Sequence, residues 1–153
     1  MVAQPVNKWD KRFIELARHV AGWSKGPRTR VGAVLVRPDK SIASLGYNGA
    51  PRGFDDSVFL AMSREEQHKV VIHAEANAIA QAAASEDLEA CTLYVWPMFP
   101  CVKCARLIAA AGIKRVVAYC GHHSPDWLES AKQAEKIFSE NNIEFLKVTN
   151  EPH

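Results

Sequence analysis

Between Cys91 and Val148 three short apolar runs, Cys91 to Trp96, Lys114 to Tyr119 and Ile143 to Val148, alternate with two longer segments of helical character. Strand-length runs separated by helix-length ones are joined by right-handed crossovers, which lay the strands side by side and parallel. One intervening segment runs from Cys101 to Ala111 and is stopped by Gly112. The other opens at Ser124-Pro125-Asp126 and places Trp127, Ala131, Ala134 and Phe138 on one face. The earlier half of the chain reads differently. Asn7 to Gly22 is an amphipathic helix with Phe13, Leu16, Ala17 and Val20 on its buried face. Val31 to Val36 is a buried strand, Pro38-Asp39-Lys40 a turn, and Ile42 to Tyr47 the antiparallel return strand. Asn48 to Gly53 is turn and loop, and the stretch on to about Val71 carries no clear period. A long irregular loop in a compact domain is uncommon and often functional. His73 to Ala84 is an alanine-rich helix. The order α-β-β-α-β-α-β-α-β predicts an α/β protein with a mixed five-stranded sheet and helices on both faces, in one domain spanning residues 1–153.

Composition narrows the functional classes. A chain of 153 residues is long enough for one substantial core. Its formal net charge of +2 is too small to imply nucleic-acid or membrane binding by bulk field. No apolar run is long enough to span a bilayer, and the polar stretch Met1 to Asp10 has no apolar signal core, so a cytoplasmic protein is expected. That setting disfavours a disulfide framework for Cys91, Cys101, Cys104 and Cys120. In a reducing compartment the Cys101-x-x-Cys104 pair is either a metal site or a redox site.

Two short motifs bear on that choice. His73-Ala74-Glu75 opens one predicted helix and Pro100-Cys101-Val102-Lys103-Cys104 opens the next. Two thiolates and an imidazole are good zinc ligands, and three protein ligands leave a fourth position open to water. Cys101 and Cys104 lie on one side of a first helical turn, where the helix N-terminus favours thiolates. Glu75 is not needed as a ligand and is placed to take a proton from a metal-activated water. H-x-E followed by P-C-x-x-C is the signature of zinc nucleobase deaminases. Each half alone is weak; both together, at helix starts, are strong. A thioredoxin-like redox pair would leave His73 and Glu75 unexplained.

With these residues in view, the sequence resembles the deoxycytidylate (dCMP) deaminases of the cytidine deaminase superfamily. The resemblance rests on Ser24 to Ala33, on Gly46 to Gly53, on His73 to Ile79, on Phe99 to Ile108 and on Ala111 to Val117. It is poorest from Phe54 to Ile72. It implies the three-layer α-β-α cytidine deaminase-like fold and hydrolytic deamination of dCMP to dUMP. It implies one zinc ion held by His73, Cys101 and Cys104, with Glu75 carrying protons from water to the ring nitrogen and the leaving ammonia. Asn48 would contact a sugar hydroxyl, with Ala74 among the substrate contacts; a turn residue before Gly49 is an equally good reading of Asn48 taken alone. It also implies a homo-oligomer, up to a hexamer, and dCTP and dTTP as effectors.

Lys25, Arg28, Arg30 and Arg52 lie in the two loops flanking the expected pocket, and as a group they suit a substrate phosphate. Singly, each reads as a solvated surface charge. The family's tyrosine-bearing segment after the fourth strand is replaced here by Cys120-Gly121-His122-His123-Ser124-Pro125-Asp126-Trp127, which weakens the expectation of phosphate recognition. The region from Gly53 to Ile72 lacks the extra cysteines that some relatives use for a second metal. His68 reads as a solvent-facing histidine, Cys91 and Cys120 as inert thiols, and the four tryptophans as packing residues. Two rival readings remain: a deaminase of the same superfamily with another base or nucleoside as substrate, and a non-catalytic zinc-stabilised binding module. An RNA substrate is disfavoured by the lack of a basic stripe.

Overall fold

In a computed structural model of the chain, residues 6–25, 29–82, 86–121 and 124–149 are described. Helix α1 (Lys8–Ala21) leads to strands β1 (Gly32–Val36) and β2 (Ile42–Tyr47). Helices α2 (Asp56–Ala61), α3 (Arg64–Val70) and α4 (Ala74–Gln81) follow, then a 3-10 turn over Leu88–Ala90. Strand β3 (Thr92–Trp96), helix α5 (Val102–Ala111), strand β4 (Arg115–Tyr119), helix α6 (Pro125–Glu140) and strand β5 (Glu144–Val148) complete the order. The five-stranded sheet runs β2-β1-β3-β4-β5. β1 pairs antiparallel with both β2 and β3, while β3, β4 and β5 are parallel, as the alternation in the second half predicts.

The segment after Gly53, expected to be irregular, contains two short helices instead. Asp55 caps α2 by accepting a hydrogen bond from the Ser57 backbone. Ser63 and Glu66 form a reciprocal capping box at the start of α3. The buried Gln67 amide donates to the Phe59 carbonyl at 2.9 Å and ties the two helices together. No disulfide joins the four cysteines. Among the described residues no helix is long and apolar enough to cross a membrane.

Side-chain alternation along the strands divides the core between the two faces of the sheet. Val34, Val36, Tyr94 and Val117 pack under Phe13, Ile14 and Ala17 of α1. Leu35, Leu93, Val95 and Val116 point the other way, into the layer of α4, α5 and α6, where Ala78, Ile108 and Phe138 meet them. Two glycines let the helices come close on opposite faces. A Cβ on Gly32 would collide with the Ala17 carbonyl oxygen of α1. One on Gly46 would collide with the Ala74 carbonyl and stand 2.5 Å from the Ala78 nitrogen of α4.

The α1 layer is locked by a buried ion. Asp10, fully inaccessible, accepts hydrogen bonds from the Tyr94 hydroxyl at 2.8 Å and from two Arg115 nitrogens at 2.9 and 3.0 Å. It also accepts from the Asn7 backbone N–H at 3.2 Å, completing a capping box. Burial alone would raise the Asp10 carboxyl, but the bonds from Arg115, Tyr94 and Asn7 outweigh it and hold the group below the ordinary carboxylate range.

Register decides where function can sit. Gly32, the first residue of β1, faces both Tyr47 and Trp96, the last residues of β2 and β3. Ala118, near the end of β4, faces Val95. The carboxyl ends of three strands therefore share one edge of the sheet, where open α/β sheets place their ligands.

Two outcomes test this packing. Gly46→Ala is expected to cost about 1–3 kcal/mol, read from urea unfolding, because backbone atoms of α4 would have to move. Asp10→Asn is expected to cost somewhat less than the about 3–5 kcal/mol of a broken fully buried pair, since Arg115 keeps partial contact with water. A carboxyl held below its unfolded value contributes stability above that value and loses it as pH falls through the folded one. Unfolding measured from pH 7 down to pH 2 should therefore show a shallower acid loss in the variant (about pH 5 downwards) than in the wild type.

Candidate metal centre

The residue that caps α4 is His73, and the residue that caps α5 is Cys101. Both have extended backbone, and neither uses its side chain to bond the helix it precedes. Each helix thus starts one residue later than the motifs suggest, and both side chains are turned to a common point. His73 Nδ1 lies 3.3 Å from Cys104 Sγ and 3.5 Å from Cys101 Sγ. The three ligand atoms all fall within 4.8 Å of one another, and among the described residues no other such group exists. The two nitrogen–sulfur separations are those between the vertices of a tetrahedron with bonds of about 2.0–2.3 Å, the zinc–nitrogen and zinc–sulfur range. The donor set fits zinc in chemistry as well as in spacing.

Several elements hold these residues in place. The Gly49 and Ile72 backbones exchange two hydrogen bonds, at 3.1 and 2.8 Å, pinning the residue before His73 to the residue after Asn48. The Asn77 amide donates to the Tyr47 carbonyl at 2.8 Å, and the buried Ser44 hydroxyl donates to the Ala78 carbonyl at 2.6 Å. On the other side, α6 braces the approach to Cys101. The Val102 N–H donates to Ser130 Oγ at 3.0 Å, and Trp127 Nε1 donates to the Phe99 carbonyl at 3.2 Å.

Charge in the cradle is strongly redistributed. The Cys101 thiol is pulled down to about 3, first by a hydrogen bond from Cys104 and then by His73, against the opposing effect of burial. The Cys104 thiol is pushed up because it shares its proton with Cys101 and is buried beside Glu75. The His73 imidazole is raised by its hydrogen bond to Cys101, against burial. Glu75, 4% exposed, is raised by burial, with the His73 charge opposing. A thiolate, a second thiol and a buried carboxyl around one imidazole are a place that calls for a cation.

The group opens on a cavity of about 440 Å³ that is lined by His73, Ala74, Glu75 and Cys101 together with Asn48 and Trp127. Asn48 is half-buried and already employed: its Oδ1 accepts from the Val31 N–H at 2.8 Å and its Nδ2 donates to the Thr29 carbonyl at 3.0 Å. It has a firm structural role as well as a place on the cavity wall. Among the described residues, the basic residues of the flanking loops do not line this cavity. Lys25 pairs with Asp56 at 2.6 Å and, like Arg52, lines a second, more polar cavity of about 860 Å³. Arg30 is exposed and lines neither of these two cavities. Arg28, His122 and His123 lie outside the described residues. Arg64 and Gln67, which no motif marks, line the smaller cavity, and so does His68, which is exposed as its solvent-facing reading predicts. The Ser63-x-x-Glu66 capping signal was the available clue to the helix that carries them.

Comparison with known proteins agrees with this geometry. Residues 7–120 match the model of the family described as the cytidine and deoxycytidylate deaminase zinc-binding region. An uncharacterized deaminase in the luxG 3′ region of Aliivibrio fischeri is 39% identical over 143 residues, covering 91% of this chain and 92% of its own length. Human deoxycytidylate deaminase is 37% identical over 147 residues, covering 92% of this chain and 79% of its own length. The crystal structure of dCMP deaminase from the cyanophage S-TIM5 in apo form superposes with a TM-score of 0.73 at 25% identity, over 94% of this chain and 100% of that one. The three-layer α-β-α arrangement is thus the cytidine deaminase-like fold, and the chain belongs to the cytidine and deoxycytidylate deaminase family.

Proposed function

We propose that this chain is a zinc-dependent hydrolase that converts dCMP and water to dUMP and ammonia. The observation that carries the proposal is the meeting of two sulfurs and one imidazole nitrogen within 4.8 Å, beside the buried carboxyl of Glu75 and on the wall of a cavity. Relatives named deoxycytidylate deaminase support the cytosine nucleotide as substrate.

His73 Nδ1, Cys101 Sγ and Cys104 Sγ would hold one zinc ion. Zinc bound by three protein ligands supplies an open position at which water is acidified to near neutrality. Glu75 is the proton carrier: burial raises its carboxyl towards the working pH, which makes it a better acceptor than an ordinary glutamate. It takes a proton from the water as the water oxygen bonds to the amino-bearing ring carbon, and passes it to the adjacent ring nitrogen. It then transfers the second proton of that water to the amino group as the carbon–nitrogen bond breaks. One proton stays on the ring of dUMP and the other leaves in ammonia, so the atoms balance. Asn48 would offer the remaining hydrogen of its Nδ2 to the sugar, and Ala74 would border the base. One deaminase domain, cytoplasmic and homo-oligomeric, with dCTP and dTTP as effectors, completes the reading; light scattering with and without the two effectors tests the last parts of it.

Glu75→Gln is expected to slow ammonia release from dCMP by about 10²–10⁴-fold while zinc content by metal analysis stays near one per chain. Unchanged turnover in this variant would overturn Glu75 as the proton carrier, and a wild type with no turnover would favour the non-catalytic zinc module. His73→Ala is expected to lose the zinc. Across dCMP, CMP, deoxycytidine, cytidine, cytosine and guanine, the wild type should release ammonia fastest from dCMP. A strong preference for unphosphorylated compounds would overturn the nucleotide part of the proposal and leave the chemistry standing.

A further inference from the structure

A nucleotide brings a phosphate dianion to the cavity, and a charge taken from water needs a partner there. Of the loop cations expected to serve, Lys25, Arg30 and Arg52 do not line this cavity, and Arg28 lies outside the described residues. Lys25 is paired with Asp56, and Arg52 lines the other cavity. The cavity that holds His73 and Glu75 has its own basic wall. Arg64 and His68, four residues apart on α3, both line it, and Arg64 is the sole arginine or lysine to do so among the described residues. Residues at i and i+4 share a helix face. Gln67 and Val71 line the cavity beside them, whereas Glu65, Glu66 and Lys69 do not. Glu66 is tied instead to the Ser63 backbone by the capping box. This helix therefore turns one arginine and one histidine to the cavity and keeps its acids off it.

Position along the helix matters too. From Val70 the chain reaches His73 in three residues, so α3 leads into the metal group, with Arg64 at the end remote from it in sequence and His68 closer. At a rise of about 1.5 Å per residue, α3 extends about 9–10 Å away from that exit. In dCMP the amino group to be removed is on the base and the phosphate is at the other end of the molecule, beyond the sugar. With the base at the metal group, a phosphate beyond the sugar would lie away from it along the cavity, whose described wall holds Arg64 as its one arginine or lysine.

We propose that Arg64 and His68 are specificity-determining residues that recognise the 5′-phosphate, so that α3 selects a nucleotide over a nucleoside. This rests on the deaminase reading above. Arg64 supplies a planar fork suited to two phosphate oxygens, and His68 a further ring N–H.

The test uses the zinc-loaded full chain and measures kcat and KM for dCMP and for deoxycytidine. In Arg64→Met, the ratio of kcat/KM for dCMP to that for deoxycytidine should fall by about 10- to 100-fold, with the loss on dCMP appearing in KM. His68→Gln should move the ratio in the same direction by less, and Arg64→Lys should recover part of it. Arg64 is exposed, so the melting temperature and zinc content should match the wild type. An unchanged ratio in Arg64→Met overturns the proposal, whether both substrates fall together or neither does. A wild type that releases no ammonia from either substrate is a different result: it overturns the deaminase reading itself.

Discussion

Helix α4 lies so close to strand β2 that only a hydrogen fits between them at Gly46. Everything chemical in this chain depends on that approach. Ala74, whose carbonyl touches Gly46, sits between His73 and Glu75, so the first turn of α4 is set against the sheet before any side chain reaches into the cavity. The Gly49–Ile72 bridge then brings the start of α4 to the same sheet edge at which β3 delivers Phe99 and Cys101. Two motifs about thirty residues apart become neighbours because three strand ends share one edge, and because one glycine lets a helix approach that edge.

The metal group also changes how its helices begin. A residue at the cap position usually spends its side chain on the first backbone donors of the helix. His73 and Cys101 do not, because their side chains are turned to each other and to Cys104. The α5 start is compensated from outside, by the Ser130 hydroxyl of α6 accepting from Val102. The hydrogen bonds of Cys104 and His73 to Cys101 and the burial of Glu75 act on the same small volume, and they favour a thiolate in one place and a proton-carrying carboxyl in another.

Much of this was readable before the structure. The alternation after Cys91 and the antiparallel hairpin at Pro38–Lys40 yield the sheet, because period and turn chemistry are local properties. The metal group is readable for the same reason, each half being a short motif at a helix start. What escaped is non-local or too short to show a period. Asp10 and Arg115 are 105 positions apart, and nothing near either predicts their pairing. The Gly49–Ile72 bridge spans two segments without regular structure. Helices α2 and α3 have six and seven residues, less than two full turns each, so their caps were the available signal. Sequence proximity to a cavity does not tell which way a side chain faces: Lys25, in a flanking loop, turns to Asp56.

Gly32 and Gly46 stand on neighbouring strands at adjacent levels, since Gly46 pairs with Ala33, and they receive helices on opposite faces of the sheet. At that level the β1–β2 ribbon is clamped between the Ala17 backbone of α1 and the Ala74 backbone of α4. Any sequence drift that adds volume beneath α1 near Ala17 pushes on the ribbon, and the ribbon has no slack before it reaches the helix that carries Glu75. Tolerance to substitution in this family member should therefore be lopsided. The outer surface of α1 meets no such limit, while a single added methyl on its inner face near Ala17 would press on the strand whose neighbour carries the helix of Glu75.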